Sequence, residues 1–162
     1  MFRRIYLLIF ILLVLTTDSC SKEADVSSYV AARALSSPEV EQEVMSLVNA
    51  HRVALGFTPL QYSAVAYEYA SSHTDYMIAR GSLNHDNFED RASSISEKTG
   101  ADFVAENIAR DYPTAREAFD GWMNSGSHRA TLEGDFTHSA VSVKKDADGQ
   151  LYYTQLFFRK AP

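Results

Sequence analysis

Apolar and polar residues alternate along this chain with two different periods, and the change of period divides it into helices and strands. Val40, Val44, Leu47, Val48, His51 and Leu55 recur every three to four residues and share one face of a helix. Ser36 and Glu39 have capping-box spacing at its start, Pro38 suits a first turn, and Gly56 ends it. After a turn at Thr58-Pro59, Leu60 and Tyr62 lead into a second helix over Ser63 to Arg80. Its stripe is Ala66, Tyr69, Ala70, His73, Tyr76 and Met77, and Gly81 stops it. Asn87 opens a weaker third helix through Lys98, closed by Thr99-Gly100. Phe103 to Ala109 reads as a strand. Pro113, Thr114 and Glu117 open a helix that buries Ala118, Phe119, Trp122 and Met123, and Ser125 to Leu132 forms a further short turn of helix. His138 to Lys145 and Gln150 to Arg159 read as strands joined through Asp146–Gly149. Phe157 and Phe158 give the last strand burial on both sides, which makes it central. The pattern predicts an α+β domain: helices covering a small, mainly antiparallel sheet.

The first residues follow a different rule. Arg3 and Arg4 precede an apolar run of eleven residues, Ile5 to Leu15, too short to span a bilayer, which needs about 20. A basic start, a short apolar stretch and small polar residues make a secretory signal. Cys20, the single cysteine among 162 residues, follows directly. The stretch resembles a bacterial lipoprotein signal, in which the cysteine thiol takes a diacylglycerol and becomes the new N-terminus. Thr17 stands where such signals usually have leucine. The resulting expectation is a signal at 1–19, a lipidated N-terminus and tether at 20–35 and a domain at 36–162. The protein would be exported and held to a membrane of the bacterial cell envelope, the outer one where there are two. Several acyl chains on one residue exceed the one-chain threshold for stable anchoring.

Composition narrows the chemistry. One cysteine makes no internal disulfide and no thiolate cage. Removing Arg3, Arg4 and Asp18 with the signal leaves 13 basic and 20 acidic side chains, net -7, which argues against a nucleic-acid partner. There is no His-Glu-x-x-His, Gly-x-Ser-x-Gly, P-loop or dinucleotide glycine pattern, so any centre is assembled from distant segments. Three place polar groups in apolar surroundings: Leu83-Asn84-His85-Asp86-Asn87-Phe88, Val104-Ala105-Glu106-Asn107-Ile108-Ala109, and Trp122-Met123-Asn124-Ser125-Gly126-Ser127-His128-Arg129. A buried carboxylate needs a partner, so Glu106 implies a cation, a histidine or a metal nearby.

With Leu47-Val48-Asn49-x-His51-Arg52 and Tyr153-Thr154-Gln155-Leu156-Phe157, these phrases run in the order found in the CAP superfamily, or SCP domain, which the chain resembles over roughly residues 40–159. The resemblance is to the bacterial branch of a group that includes cysteine-rich secretory proteins, antigen 5 and pathogenesis-related proteins. It implies an α-β-α sandwich with a central cleft lined by His85, Glu106 and His128, the candidate catalytic residues. Asn107, Ser125 and Gln155 are candidate ligand contacts. Two imidazoles and a carboxylate are also a candidate set for a divalent cofactor, zinc or magnesium: His85 and His128, with Glu106. The second acid of animal members falls at Ser125 here.

Plainer readings stand beside these. His51 and His73 sit on apolar stripes and suit core histidines bonded to main chain, while His138 suits a surface position. Asn107 can satisfy main chain around its strand, Gln155 can pair across the sheet, and Glu106 can pair with an arginine such as Arg129 or Arg110. The function expected is an envelope-anchored module binding an extracellular ligand. The alternative is a metal-assisted hydrolase of peptides or cell-wall polymers.

Overall fold

The structure, a computed structural model, describes residues 35–160. The signal, Cys20 and the tether up to residue 34 lie outside the described residues, whereas Leu35, expected in the tether, belongs to the first strand. The elements are β1 (Leu35–Ser36), α1 (Pro38–Ala54), β2 (Gln61–Tyr62), α2 (Ala64–Arg80), α3 (Phe88–Thr99), β3 (Ala101–Arg110), α4 (Ala115–Asn124), α5 (Gly126–Leu132), β4 (His138–Lys145) and β5 (Leu151–Lys160).

The sheet runs β1-β4-β5-β3, with β2 also on β4. All pairings are antiparallel except β2 on β4, which is parallel. Of Leu60 and Tyr62, expected only to lead into a helix, Tyr62 lies in this two-residue strand and Leu60 directly precedes it. β5 lies between β4 and β3 as its two-sided apolar pattern requires, and Leu156, Phe157 and Phe158 are buried.

Strand alternation gives the sheet two apolar faces. Val141, Val143, Tyr153 and Phe157 pack with Val44 and Val48 of α1 and with Phe119 and Trp122 of α4. Ala140, Leu156 and Phe158 pack against Ala66 and Ala70 of α2 and Ile95 of α3. This is an α-β-α sandwich, and successive residues of β3 address opposite layers. That places Glu106 on the α2–α3 side and Asn107 on the α1–α4 side.

Two helix starts behave differently. The Ser63 side chain accepts from the Ala66 N–H and that of Thr114 from Glu117 N–H, as N-cap residues do. Ser36 does not cap α1: the helix begins at Pro38 after Ser37, which makes no side-chain cap, and Ser36 belongs to β1. On α1 the buried residues are Val44, Val48 and Arg52, while Leu55 is exposed.

Arg52 explains that exchange. Its guanidinium donates to the carbonyls of Thr58, Leu132, Gly134 and Phe136, at 2.8–3.3 Å. Asn49 brackets the main chain of Leu60, donating to its carbonyl at 3.1 Å and accepting from its N–H at 2.8 Å. The phrase Asn49-x-His51-Arg52 thus ties α1 to the loops around it. His51, expected to bond main chain, instead meets the Glu133 carboxylate at 3.0 Å.

Candidate functional site

Glu106 sits in mid-β3 with a side chain only 1% exposed. Burial at that depth requires compensation, and α3 supplies it. Arg91 and Ile95 are the buried residues of that helix, four apart and therefore on one face. The Arg91 guanidinium grips both carboxylate oxygens: Nε to Oε2 at 3.1 Å, Nη2 to Oε2 at 2.8 Å and Nη2 to Oε1 at 2.9 Å. Its Nη1 donates to the Asp86 carbonyl, so the same arginine fixes the loop before α3. The ion pair anticipated for Glu106 therefore exists, but with Arg91. Arg110 turns instead to Asp111 and the Gly81 carbonyl, and Arg129 is exposed on α5.

The 82–87 loop brings His85 to the same carboxylate. Its Nδ1 lies 2.8 Å from Oε1. A carboxylate accepts, so Nδ1–H donates, and the neutral ring keeps an acceptor lone pair on Nε2. The His85 side chain is about half exposed. Beneath it, His73 donates from Nε2 to the Asn84 carbonyl at 2.8 Å and lies 3.9 Å from Oε1 of Glu106. Burial pushes the His73 imidazole below the usual histidine range, and the Glu106 carboxylate only partly opposes this. His73 is thus the core histidine bonded to main chain that the sequence suggested, and it also steadies the residue preceding His85.

His128 approaches from α5. Asn107 donates from Nδ2 to its carbonyl at 3.0 Å, tying that helix to β3. The His128 ring is half-buried and makes no side-chain hydrogen bond among the described residues. Burial pushes its pKa down, and repulsion from His85 adds to this. His85 and Glu106 are therefore in contact, while His128 is tied to the same strand through its carbonyl and Asn107.

Two candidate contacts go elsewhere. Gln155 is fully buried, donating to Ser139 Oγ at 3.1 Å and packing on Met45 Sδ at 3.6 Å. It pairs within the α1–α4 layer, the plainer of its two readings, and its Oε1 is buried without a protein partner among the described residues. Ser125 lies where α4 meets α5, 3.3 Å from Ser127 Oγ, in an open hollow of about 520 Å³ with Tyr112, Asp120 and Asn124. Asn107 does satisfy main chain, although its Oδ1 is buried without a protein partner among the described residues. His138, expected at the surface, is half-buried and stacks on Phe158 at 4.8 Å.

The residues do not fit zinc or magnesium. Arg91 takes both oxygens of Glu106 and sets a positive charge where a cation would sit. His85 points Nδ1 at the carboxylate, and Ser125 replaces the second acid. No group of three His, Cys, Asp or Glu among the described residues could hold a metal ion. The metal set drawn from His85, His128 and Glu106 is replaced by a hydrogen-bonded ion-pair cluster. Sequence reasoning missed Arg91. The signal was its place four residues before Ile95, a charge on the apolar stripe of α3.

Comparison with known proteins agrees with this architecture. The model of the cysteine-rich secretory protein family, CAP, matches residues 45–157. An outer surface protein of Borrelia burgdorferi superposes with a TM-score of 0.72 at 16% identity, over 80% of this chain and 99% of that one. An extracellular protein containing a SCP domain from Bacillus anthracis gives 0.67 at 28% identity, over 76% and 41%. Among curated relatives, the uncharacterized membrane protein YlbC of Bacillus subtilis is 32% identical over 128 residues, 74% of this chain and 34% of YlbC. The uncharacterized protein YkwD of the same organism is 29% identical over 153 residues, 90% of this chain and 52% of YkwD. The chain thus spans about a third to a half of these relatives. It belongs to the cysteine-rich secretory protein family.

Proposed function

We propose that this CAP domain is exported, anchored to the cell envelope through lipidated Cys20, and binds an extracellular ligand in the cleft of His85, Glu106 and His128. The observation that carries the reading is the cluster itself. Arg91 fixes Glu106, Glu106 fixes the ring of His85, and that ring stays half exposed. A ring oriented in this way is preorganised, so little ordering cost falls on binding. In their neutral forms His85 and His128 each keep an acceptor nitrogen, which suits a ligand offering hydroxyl or amide donors. The description of the B. anthracis neighbour as extracellular supports export, and YlbC is described as a membrane protein. The net negative charge argues against nucleic acid.

The test is rescue of a deletion strain by the double variant His85→Ala, His128→Ala. The variant should fold with an unchanged melting temperature, reach the envelope and fail to rescue. Full rescue by a folded, exported double variant would make the cleft a folding device. The dyad of His85 and Glu106 also supports a second reading, hydrolysis with His85 as general base. Incubation with casein or peptidoglycan fragments tests it, and turnover that vanishes in His85→Ala would establish it.

A further inference from the structure

Strand β3, which carries Glu106, is the last strand of the sheet and leaves one edge unpaired by any described strand. On β4, the carbonyls of Ser139 and Val143 accept from Ser63 and Ser37, so odd-numbered residues there direct their main chain away from β5. Antiparallel ladders alternate. Even residues of β5 therefore bond β4, and its odd residues Tyr153, Gln155 and Phe157 bond Ala109, Asn107 and Ala105 of β3. Asp111 N–H to the Leu151 carbonyl, at 3.1 Å, continues that series. Val104, Glu106 and Ile108 consequently point their N–H and C=O groups outward. Trp122 Nε1 takes the Ile108 carbonyl at 3.0 Å and closes that end. A register shift between Ala101 and Phe103 ends the ladder at the other. Between them, the N–H and C=O of Val104 and Glu106 have no partner among the described residues. Glu106 is 9% exposed as a residue but 1% in its side chain, so what it shows to solvent is main chain.

We propose that the ligand of this cleft is an extended peptide, which adds as a strand to β3 along Val104–Glu106. The inference rests on the cleft reading above and gives it a substrate class. Two donors and two acceptors at strand spacing match a peptide backbone. Alternate side chains of the added strand would fall toward His85 on one side of the sheet. On the other they would fall toward a hollow of about 250 Å³ whose apolar wall is Phe103, Ala105 and Phe136 and whose lining also includes Thr131, Asp135 and Arg159. Phe103 is 52% exposed and stacks on Phe136 at 5.6 Å, a surface for an apolar anchor. Between residues 101 and 109 the edge carries neither proline nor lysine, two of the residues that guard free edges; its guards, the register shift at Ala101/Phe103 and the inward Glu106, leave the main chain of Val104 and Glu106 unpaired among the described residues. A second copy of the chain is a poor occupant. The His85 loop and α5 both contact β3 beside this edge, where the second copy's own loop and helix would have to fit as well.

The experiment is amide exchange by NMR on the chain from residue 20 onward carrying Cys20→Ser. The probe is a capped heptapeptide, lysine–threonine–phenylalanine–threonine–leucine–threonine–lysine. Exchange at Val104 and Glu106 should slow by about tenfold on adding it, while Ala105 and Asn107, already bonded to β5, change by less than about twofold. The same peptide N-methylated at alternate residues should have no effect. Val104→Pro removes an outward N–H without costing a ladder bond; it should keep the fold and abolish the response. The proposal is overturned if the peptide leaves Val104 and Glu106 unprotected. It is equally overturned if they are already protected without peptide, by residues 21–34 or by self-association. Either result leaves the cleft reading to its own test by the His85, His128 double variant.

Discussion

At the residue scale the molecule turns on how one acid is kept inside it. Truncating one member of a buried ion pair strands the other, at about 3–5 kcal/mol, whereas replacing both with apolar groups is often neutral. Arg91→Met should therefore lower unfolding stability by that amount in urea titration. Adding Glu106→Leu should restore most of it. Protonation adds a second prediction. Burial holds the His73 pKa below its unfolded value, so its contribution to stability is present above about 6.5 and is lost as pH falls through the lower folded value. Urea midpoints should fall below that pH, and less steeply in His73→Gln. The sequence made the need for a partner at Glu106 legible, because an acid inside an apolar strand is expensive. It did not identify the partner. Arg110 shares a strand face with Glu106 and Arg129 lies near His128, but only the rotation of α3 about its axis brings Arg91 inward, and that rotation is set by packing.

At the element scale, the residue pattern located the helices and the three long strands among the described residues, since each helix buries a stripe and each strand one face or both. Short elements escaped it. β2 is two residues long and exists because Asn49 holds Leu60 and because β4 has an edge to cover, neither of which is a local pattern. Arg52 shows the same limit: a charge at a buried helix position reads as a break in the stripe until its carbonyl partners are in place. Arg52→Ala should cost about 3 kcal/mol or more, because several buried carbonyls lose a charged donor. Arg52→Lys should recover little of it, since an ammonium cannot reproduce the planar fork. Thr114→Ala should cost only about 1 kcal/mol, the usual worth of an N-cap. Thermal unfolding of the three variants checks the order.

For the whole molecule, a two-faced sheet is what allows one strand to serve two layers. Glu106 and Asn107 are neighbours in sequence, yet one is gripped by α3 and the other ties down α5, so β3 sets the spacing of those two helices. The family resemblance named His85 and Glu106 together in advance, while the cation that pairs with Glu106 was not legible, because Arg91 lies on a helix outside the recognised phrases. The N-terminal reading makes its own prediction. Cys20→Ala should move the protein from the membrane fraction to the soluble exported fraction, as a fractionation blot would show. The most direct test of the central claim, that this cleft is an ion-pair cluster built for an organic ligand, is a crystal structure grown with excess zinc. The account predicts Arg91 still bidentate on Glu106, His85 on the same carboxylate and no ion between the imidazoles. A zinc ion bound by His85 and His128, with Arg91 displaced from Glu106, would contradict it.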